Sequence, residues 1–191
     1  MALLSIPTKS SGDQHTATEM NEVVQAIVAL QEIPGFGNYD DDVASDLTIT
    51  STPSKLTINS LGSQTNEAYL PYEIRGTSSL WDSATNKITP INIGDEYNLR
   101  VDFTISAKTG SPSEIDFTVD IGGQSTITIP ILKRTIPITK TAPFSFNIGF
   151  PIYGLDTFKA NGGQLFFNVN SGTVTVTARD IYISRISNGQ R

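Results

Sequence analysis

The residues able to do chemistry in this 191-residue chain are few and poorly matched to one another. There is no cysteine and one histidine, His15. Thiolate zinc sites, disulfide frameworks and cysteine nucleophiles are therefore excluded, and one imidazole builds neither a Ser-His-Asp triad nor a three-histidine metal site within a single chain. His15 reads as an exposed residue ahead of a helix cap; the alternative is a ring of three symmetry-related copies around an ion on a trimer axis. Carboxylates are the remaining catalytic option, because a glycosidase needs only an acid and a second carboxylate flanking the bond. Asp102, Glu114, Asp116, Asp120 and Asp180 fall on expected strands or at their ends. In EIDFTVDI a period of two sends Ile115, Phe117, Val119 and Ile121 to one face and Asp116, Thr118 and Asp120 to the other. That second face reads as solvated, with no enclosure to raise the pKa of one acid. Asp40, Asp41, Asp42 and Asp46 offer oxygen ligands to a hard cation, but their spacing lacks the glycine and the bidentate glutamate of an EF-hand loop. They read as a solvated turn. No glycine-rich loop leads from a strand into a helix, so a phosphate cradle is missing. The expectation is a protein that is not an enzyme and carries no cofactor.

Aromatic residues offer binding rather than catalysis. Tyr or Trp exposed at loop tips is what sugar-binding surfaces use for stacking, which makes Trp81, Tyr69, Tyr72 and Tyr153 the candidate ligand-binding residues. The bland alternative for a loop tryptophan is a tucked anchor. Phe144, Phe146, Ile148 and Phe150 alternate strictly and share one face, either in the core or between protomers of a trimer.

Charge narrows the partners. A net charge of -6 with only 13 scattered Lys and Arg supplies no clustered basic face for phosphate neutralisation, so no nucleic-acid partner is expected. No window approaches the roughly 20 apolar residues that span a bilayer, and MALLSIPTKSSGD lacks a basic leader with a long apolar stretch, so the expectation is a soluble protein without export signal or membrane insertion. Charged residues make up 17% of the chain while Thr, Ser, Asn and Gly are plentiful, a composition suited to hydrogen-bonding β-surfaces.

The elements that would position these residues follow from periodicity. TATEMNEVVQAIVALQEIPG is the one good helix, expected over 17–33: Thr16 and Glu19 have capping-box spacing, and Pro34 with Gly35 stops it. Met20, Val23, Ile27 and Leu30 follow 3, 4, 3 spacing, with Val24 and Val28 widening the stripe. A helix of about four turns is too short to stand alone. Its stripe must pack on its own β-domain, on copies of itself or on another protein. Upstream, Leu3, Leu4 and Ile6 lie in an arm that cannot form a core by itself and is either disordered alone or ordered on a partner surface. Residues 36–46 read as a hinge-like acidic linker. From Leu47 on come LTIT, KLTINS and a strand in AYLPYEIRG broken by Pro71, then a loop-rich stretch. After Glu96 the runs YNLRVDFTISA, EIDFTVDIGG, STITIPIL, PFSFNIGF, QLFFNVN and TVTVTARDIYISRI recur at sandwich spacing. Pro130 and Pro137 lack the ladder donor and mark edge strands or a bulged corner.

KSSGDQHTATEMNEVVQAIVAL, together with VDFTISA, FTVDIGG, PFSFNIGF and DTFKANGGQLFFNVNSGTVTVTARDIYISRI, resembles small bacteriophage virion proteins. Those join an N-terminal anchoring segment to a trimeric C-terminal jelly roll of the tumour-necrosis-factor or C1q type. The resemblance implies a mainly β, antiparallel jelly-roll sandwich over 47–191, preceded by one short N-terminal helix in an anchoring and trimerisation segment, 1–35. It implies a homotrimer with Met20, Val23, Val24, Ile27 and Leu30 at the oligomer contact and Leu3, Leu4 and Ile6 at the capsid or tail protein. The product would be a virion component assembled in the host cytoplasm, a head fibre or decoration knob displaying its β-domain to a host-surface glycan. No long shaft separates helix and β-domain, so the object would be stubby. The alternatives are a carbohydrate-binding module, a tail receptor-binding tip or, less favoured, a polysaccharide depolymerase.

Overall fold

A computed structural model describes residues 16–30, 35–42, 46–71 and 73–187. The helix α1 covers Ala17–Leu30. It begins where the capping box places it: the Thr16 amide donates to Glu19 Oε2 at 2.7 Å, and the Glu19 amide donates back to Thr16 Oγ1 at 3.2 Å. Two amides left without helical partners are thereby satisfied. The helical segment and the residues from Pro34 onward are separate compact units. Among the described residues, no helix is long and apolar enough to cross a membrane.

The second unit is built from strands. In chain order they are β1 (Phe36–Asp40), β2 (Leu47–Ile49), β3 (Ser54–Lys55), β4 (Trp81–Asp82), β5 (Lys87–Ile88), β6 (Glu96–Thr109), β7 (Glu114–Asp120), β8 (Pro130–Pro137), β9 (Phe144–Tyr153), β10 (Gln164–Val169) and β11 (Thr173–Ser187), with a short helix α2 (Asp156–Asn161) before β10. One sheet has the order β1-β11-β6-β9, with β2 also on β11; the other has the order β3-β10-β7-β8. Apart from the short β2, β4 and β5, the strands pair first with last: β1 with β11, β3 with β10, β6 with β9 and β7 with β8, all antiparallel. An eight-stranded ribbon folded back on itself and rolled into two sheets is a jelly roll. The expected fold class, a mainly β antiparallel jelly roll preceded by a short helix, is the one observed.

The inner faces form the core. Leu99, Val101, Phe103 and Ile105 of β6, with Ile181 and Ile183 of β11, face Ile115, Phe117 and Val119 of β7 and Leu165, Phe167 and Val169 of β10, all buried. Phe103 meets Phe167 edge-on at 5.0 Å, and Phe117 lies 5.3 Å from Phe150, contacts that lock the sheets together. On β9, Ile148 and Phe150 are buried while Phe144 and Phe146 are half-buried against the same core. The prolines fall as expected: Pro130 and Pro137 bound β8, the edge strand of its sheet, where a missing donor faces no neighbour.

Five expectations are corrected. The run STITIPIL is loop up to Ile129 and strand only from Pro130, which opens a single strand ending at Pro137. Phe36–Asp40 is a strand rather than the start of a linker, paired from Phe36 with Ser184 to Asp40 with Asp180. Gly37 and Tyr39 point inward, and the Tyr39 hydroxyl accepts the Leu80 amide at 2.9 Å. The acidic run is not a solvated turn, since the buried Asp41 pairs with Arg179 and accepts the Asn59 amide at 2.8 Å, and Asp42 accepts the Asn59 side-chain amide at 2.9 Å. AYLPYEIRG carries no strand among its described residues; it forms turns, held where the Arg75 guanidinium caps the Leu70 carbonyl at 2.7 and 3.1 Å. The polar face of β7 is not solvated throughout, because Thr118 and Asp120 are buried. Asp120 accepts the amides of Gly122, Thr128 and Ile129 at 2.9, 2.8 and 2.5 Å and so closes the 121–129 loop.

Strand direction gives the domain two distinct ends. Gly35, whose carbonyl accepts the Arg185 amide, lies at the end carrying the 56–95, 121–129 and 154–163 connections. The 110–113, 138–143 and 170–172 connections lie at the opposite, distal end.

Candidate binding surfaces

The apolar stripe of α1 is open at two of its described positions. Met20 is 53% exposed and Val24 48%, while Val23 is half-buried. The side chains of Ile27 and Leu30 lie outside the described residues, as do Leu3, Leu4, Ile6 and His15.

On the outward face of the first sheet, strand register assembles an aromatic ladder. The Tyr69 ring, 57% exposed, stacks on Phe36 at 5.3 Å and 21°, and Phe36 lies 5.2 Å from Tyr182. The Arg100 guanidinium sits over the Tyr182 ring at 5.3 Å. Tyr69 comes from a loop, but the Phe36 amide donates to the Tyr69 carbonyl at 2.8 Å and fixes it to the edge of β1. One pleat along, Asp40, Asp180, Asp102 and Asn147 stand opposite one another on β1, β11, β6 and β9. Asn38 donates to Asp180 at 2.7 Å, and Asp102 accepts from Asn147 at 2.6 Å and from Arg100 at 2.7 Å. Burial, reinforced by the like charges of Asp102 and Asp40, pushes the Asp180 carboxyl above its usual range despite the Asn38 hydrogen bond. Rings beside amides, carboxylates and a guanidinium make a surface able to stack and to hydrogen-bond. Of the ladder's rings the sequence points only to Tyr69, and of its carboxylates to Asp40, Asp102 and Asp180 as separate candidates. Tyr182 and Arg100 fall on runs legible as strands, Phe36 falls in the expected linker, and the pairing that unites them leaves no sequence signal.

The other aromatic candidates separate. Trp81 is 2% exposed and its indole N–H donates to the Ile58 carbonyl at 3.1 Å, so it is a core anchor and presents no ring face to a ligand. Tyr72 lies outside the described residues. Tyr153 is 61% exposed at the end of β9, near Leu155 and Ile93 through the Gly94 to Gly154 hydrogen bond of 2.6 Å. It stands across the sheet from β1, three strand spacings or about 14 Å away, so Tyr69 and Tyr153 do not form one site.

Asp116 and Asp120 are engaged in structural contacts. Burial alone would raise the Asp116 carboxyl, but hydrogen bonds from Thr135, Lys133 and Asn168 outweigh it and hold it low. Asp120 closes a loop, and Glu114 is an exposed residue opening β7. Among the described residues, no group of three or more His, Cys, Asp or Glu is arranged to hold a metal ion.

The sequence matches no protein-family model and no curated protein. Among solved structures, the chain is similar to the Eiger TNF of S. frugiperda, at 8% identity over 83% of this chain and 96% of that one, with a TM-score of 0.47. It is similar to the PRD1 vertex protein P5, at 10% identity over 81% of this chain and 96% of that one, with a TM-score of 0.46. A chain of the sacbrood virus of honeybee matches at 12% identity, over 96% of this chain and 86% of that one, with a TM-score of 0.33.

Proposed function

We propose that this chain is a structural and binding protein of a bacteriophage particle: a homotrimeric short fibre, either head fibre or decoration knob, held to capsid or tail by residues 1–35. Its jelly roll faces outward toward the host surface, and its role involves no catalysis and no cofactor. The observation that carries this reading is the capped helix α1, whose Met20 and Val24 are about half exposed. An apolar stripe on a helix this short is stabilised by packing rather than by propensity, and identical copies supply matching stripes. The jelly roll supports the reading because two packed sheets and assembly are how such folds protect their edges. Three copies would also multiply weak ligand sites into an avidity roughly 10² to 10⁴ above one site.

Light scattering on the full chain tests it. The expected mass is about three times the 20.6 kDa of one chain; a folded monomer at micromolar concentration overturns the assembly. A second reading, a carbohydrate-binding module or tail receptor-binding tip, draws on the exposed Tyr69 ring. It requires glycan binding that Tyr69→Ala weakens at least tenfold. The least favoured reading, a polysaccharide depolymerase, requires release of reducing ends that Asp180→Asn or Asp102→Asn abolishes.

A further inference from the structure

The distal end of the jelly roll holds a cleft that neither the aromatic ladder nor the helix explains. It has a volume of about 720 Å³ and lies between the end of β6 with its 110–113 turn and the 139–142 connection. That volume is within the ordinary range of small-molecule sites. Its lining residues include two lysines, Lys108 and Lys140, together with Ser111, Ser113, Thr139 and Thr141. Among the described residues, no carboxylate lines it, although the chain as a whole carries a net charge of -6. A locally cationic cleft on an acidic protein selects its ligand by sign.

Two of the lining residues, Lys108 and Ser113, are held in place. The Lys108 ammonium donates to the Ile138 carbonyl and, at 3.1 Å, to the Lys140 carbonyl, which ties the 138–143 connection to β6. An ammonium has three donors, so one remains for a ligand. Ser113 is held by Asn170, which accepts the Ser113 amide at 3.1 Å and donates to its hydroxyl at 2.8 Å. The opposing turn is set by Gly110 and Gly172, both at positive φ, where a Cβ on Gly172 would stand 2.0 Å from the Thr109 carbonyl oxygen. Two lysines and several hydroxyl-bearing residues around an open cleft match a ligand that pairs an anionic group with many hydroxyls.

We infer that this cleft binds an anionic saccharide, its acid group set between Lys108 and Lys140 and its ring hydroxyls on the Ser and Thr side chains. The inference rests on the reading above only in taking the sugar from a host surface; the cleft faces away from Gly35, the end at which the β-domain begins. Charge-assisted hydrogen bonds supply most of the affinity, so binding weakens with salt.

Calorimetric titration of the full chain tests this with three probes: a tetramer of galacturonic acid, a neutral glucose tetramer and inorganic phosphate. The acidic tetramer is expected to bind at least tenfold more tightly than either of the others. Lys140→Glu is expected to weaken it by tenfold or more, the effect of losing one charge-assisted contact. Lys108→Gln should do the same, but Lys140 carries the test if the Lys108 variant misfolds. Equal binding of the neutral tetramer, indifference to Lys140→Glu or no binding of the acidic tetramer overturns the inference. Phosphate binding as tight as the tetramer's overturns the saccharide assignment. Light scattering on the same samples separates the two proposals: a trimer that ignores the tetramer sinks only the cleft, and a monomer that binds it sinks only the assembly.

Discussion

The guanidinium of Arg179, 1% exposed, donates to the carboxylate of Asp41, 6% exposed, joining positions 138 residues apart in sequence. The pair exists because β11 shifts register between Thr177 and Asp180, in the stretch that contains Arg179. The shift lets an arginine turn into the core from a strand whose neighbouring inward positions are Val and Ile, which is what bulges do. The Asp41 amide also donates to the Arg179 carbonyl at 2.9 Å, so backbone and side chain together fasten the exit of β1 to β11.

Arg179→Met should therefore destabilise the β-domain by about 3–5 kcal/mol, because it leaves the Asp41 carboxylate buried without its countercharge. Pairing it with Asp41→Leu should recover part of that loss, since the Asn59 amide then loses its acceptor. Urea denaturation of both variants checks this. A single variant within about 0.5 kcal/mol of wild type, the range of surface substitutions, would show that the pair is not closed from water.

Trp81 gives a second stability test. Trp81→Ala should cost about 3–5 kcal/mol through lost burial and cavity formation. Trp81→Phe should cost less, about 1–3 kcal/mol, mainly by leaving the Ile58 carbonyl without its donor. As the chain has a single tryptophan, native fluorescence should be blue-shifted and should not change when a saccharide is added. Quenching by saccharide would mean that the indole is reached by ligand after all.

Most strands from β6 onward were legible because half-buried antiparallel strands write their burial as alternation, which YNLRVDF keeps throughout and TVTVTARDIYISRI keeps on either side of its register shift between Thr177 and Asp180; β8, mostly exposed, carries no such pattern. The helix cap was legible because Thr16 and Glu19 settle it within four residues. β1 was not, since FGNYD is short, has one large inward side chain and runs into aspartates that resemble a solvated turn until Arg179 is placed beside them. The six-residue α2 is likewise too short to show a period, and Phe158 is its one buried side chain. The same limit applies to the surfaces: Tyr69 could be found alone, while its neighbours Phe36 and Tyr182 come from strands joined only by long-range register.

Asp180 makes the fold sensitive to acid in an unusual direction. Its folded carboxyl, raised by burial and by its neighbours Asp102 and Asp40, holds its proton more tightly than in the unfolded chain. That contribution to stability is complete below the unfolded carboxyl range and is lost as pH rises through the folded value. Asp180→Asn, which keeps an acceptor for Asn38, should raise Tm at pH 7 by roughly 1–3 °C. The gain is modest because the group is only half-buried and solvent screens its neighbours. The difference should close as the pH falls below the usual aspartate range. A variant that melts lower than wild type at pH 7 contradicts the assignment.

The helix offers the most direct test of assembly. Met20 and Val24 are one helical turn apart and both open, so Met20→Glu with Val24→Glu places two carboxylates on the stripe while leaving the Thr16–Glu19 box intact. In an isolated chain these changes are nearly neutral, because exposed substitutions shift stability by about 0.5 kcal/mol or less. In a trimer they bring six like charges to one axis, and desolvating them is far costlier than any packing they replace. The double variant should therefore run as a folded monomer by light scattering, with the β-sheet circular dichroism and the Tm of the β-domain unchanged. Thr16→Ala should act in the same direction and more weakly, since a lost cap costs about 0.5–2 kcal/mol per helix. A double variant that stays trimeric moves the self-contact off α1, and the outward face bearing Phe36, Tyr69 and Tyr182 becomes the next surface to substitute.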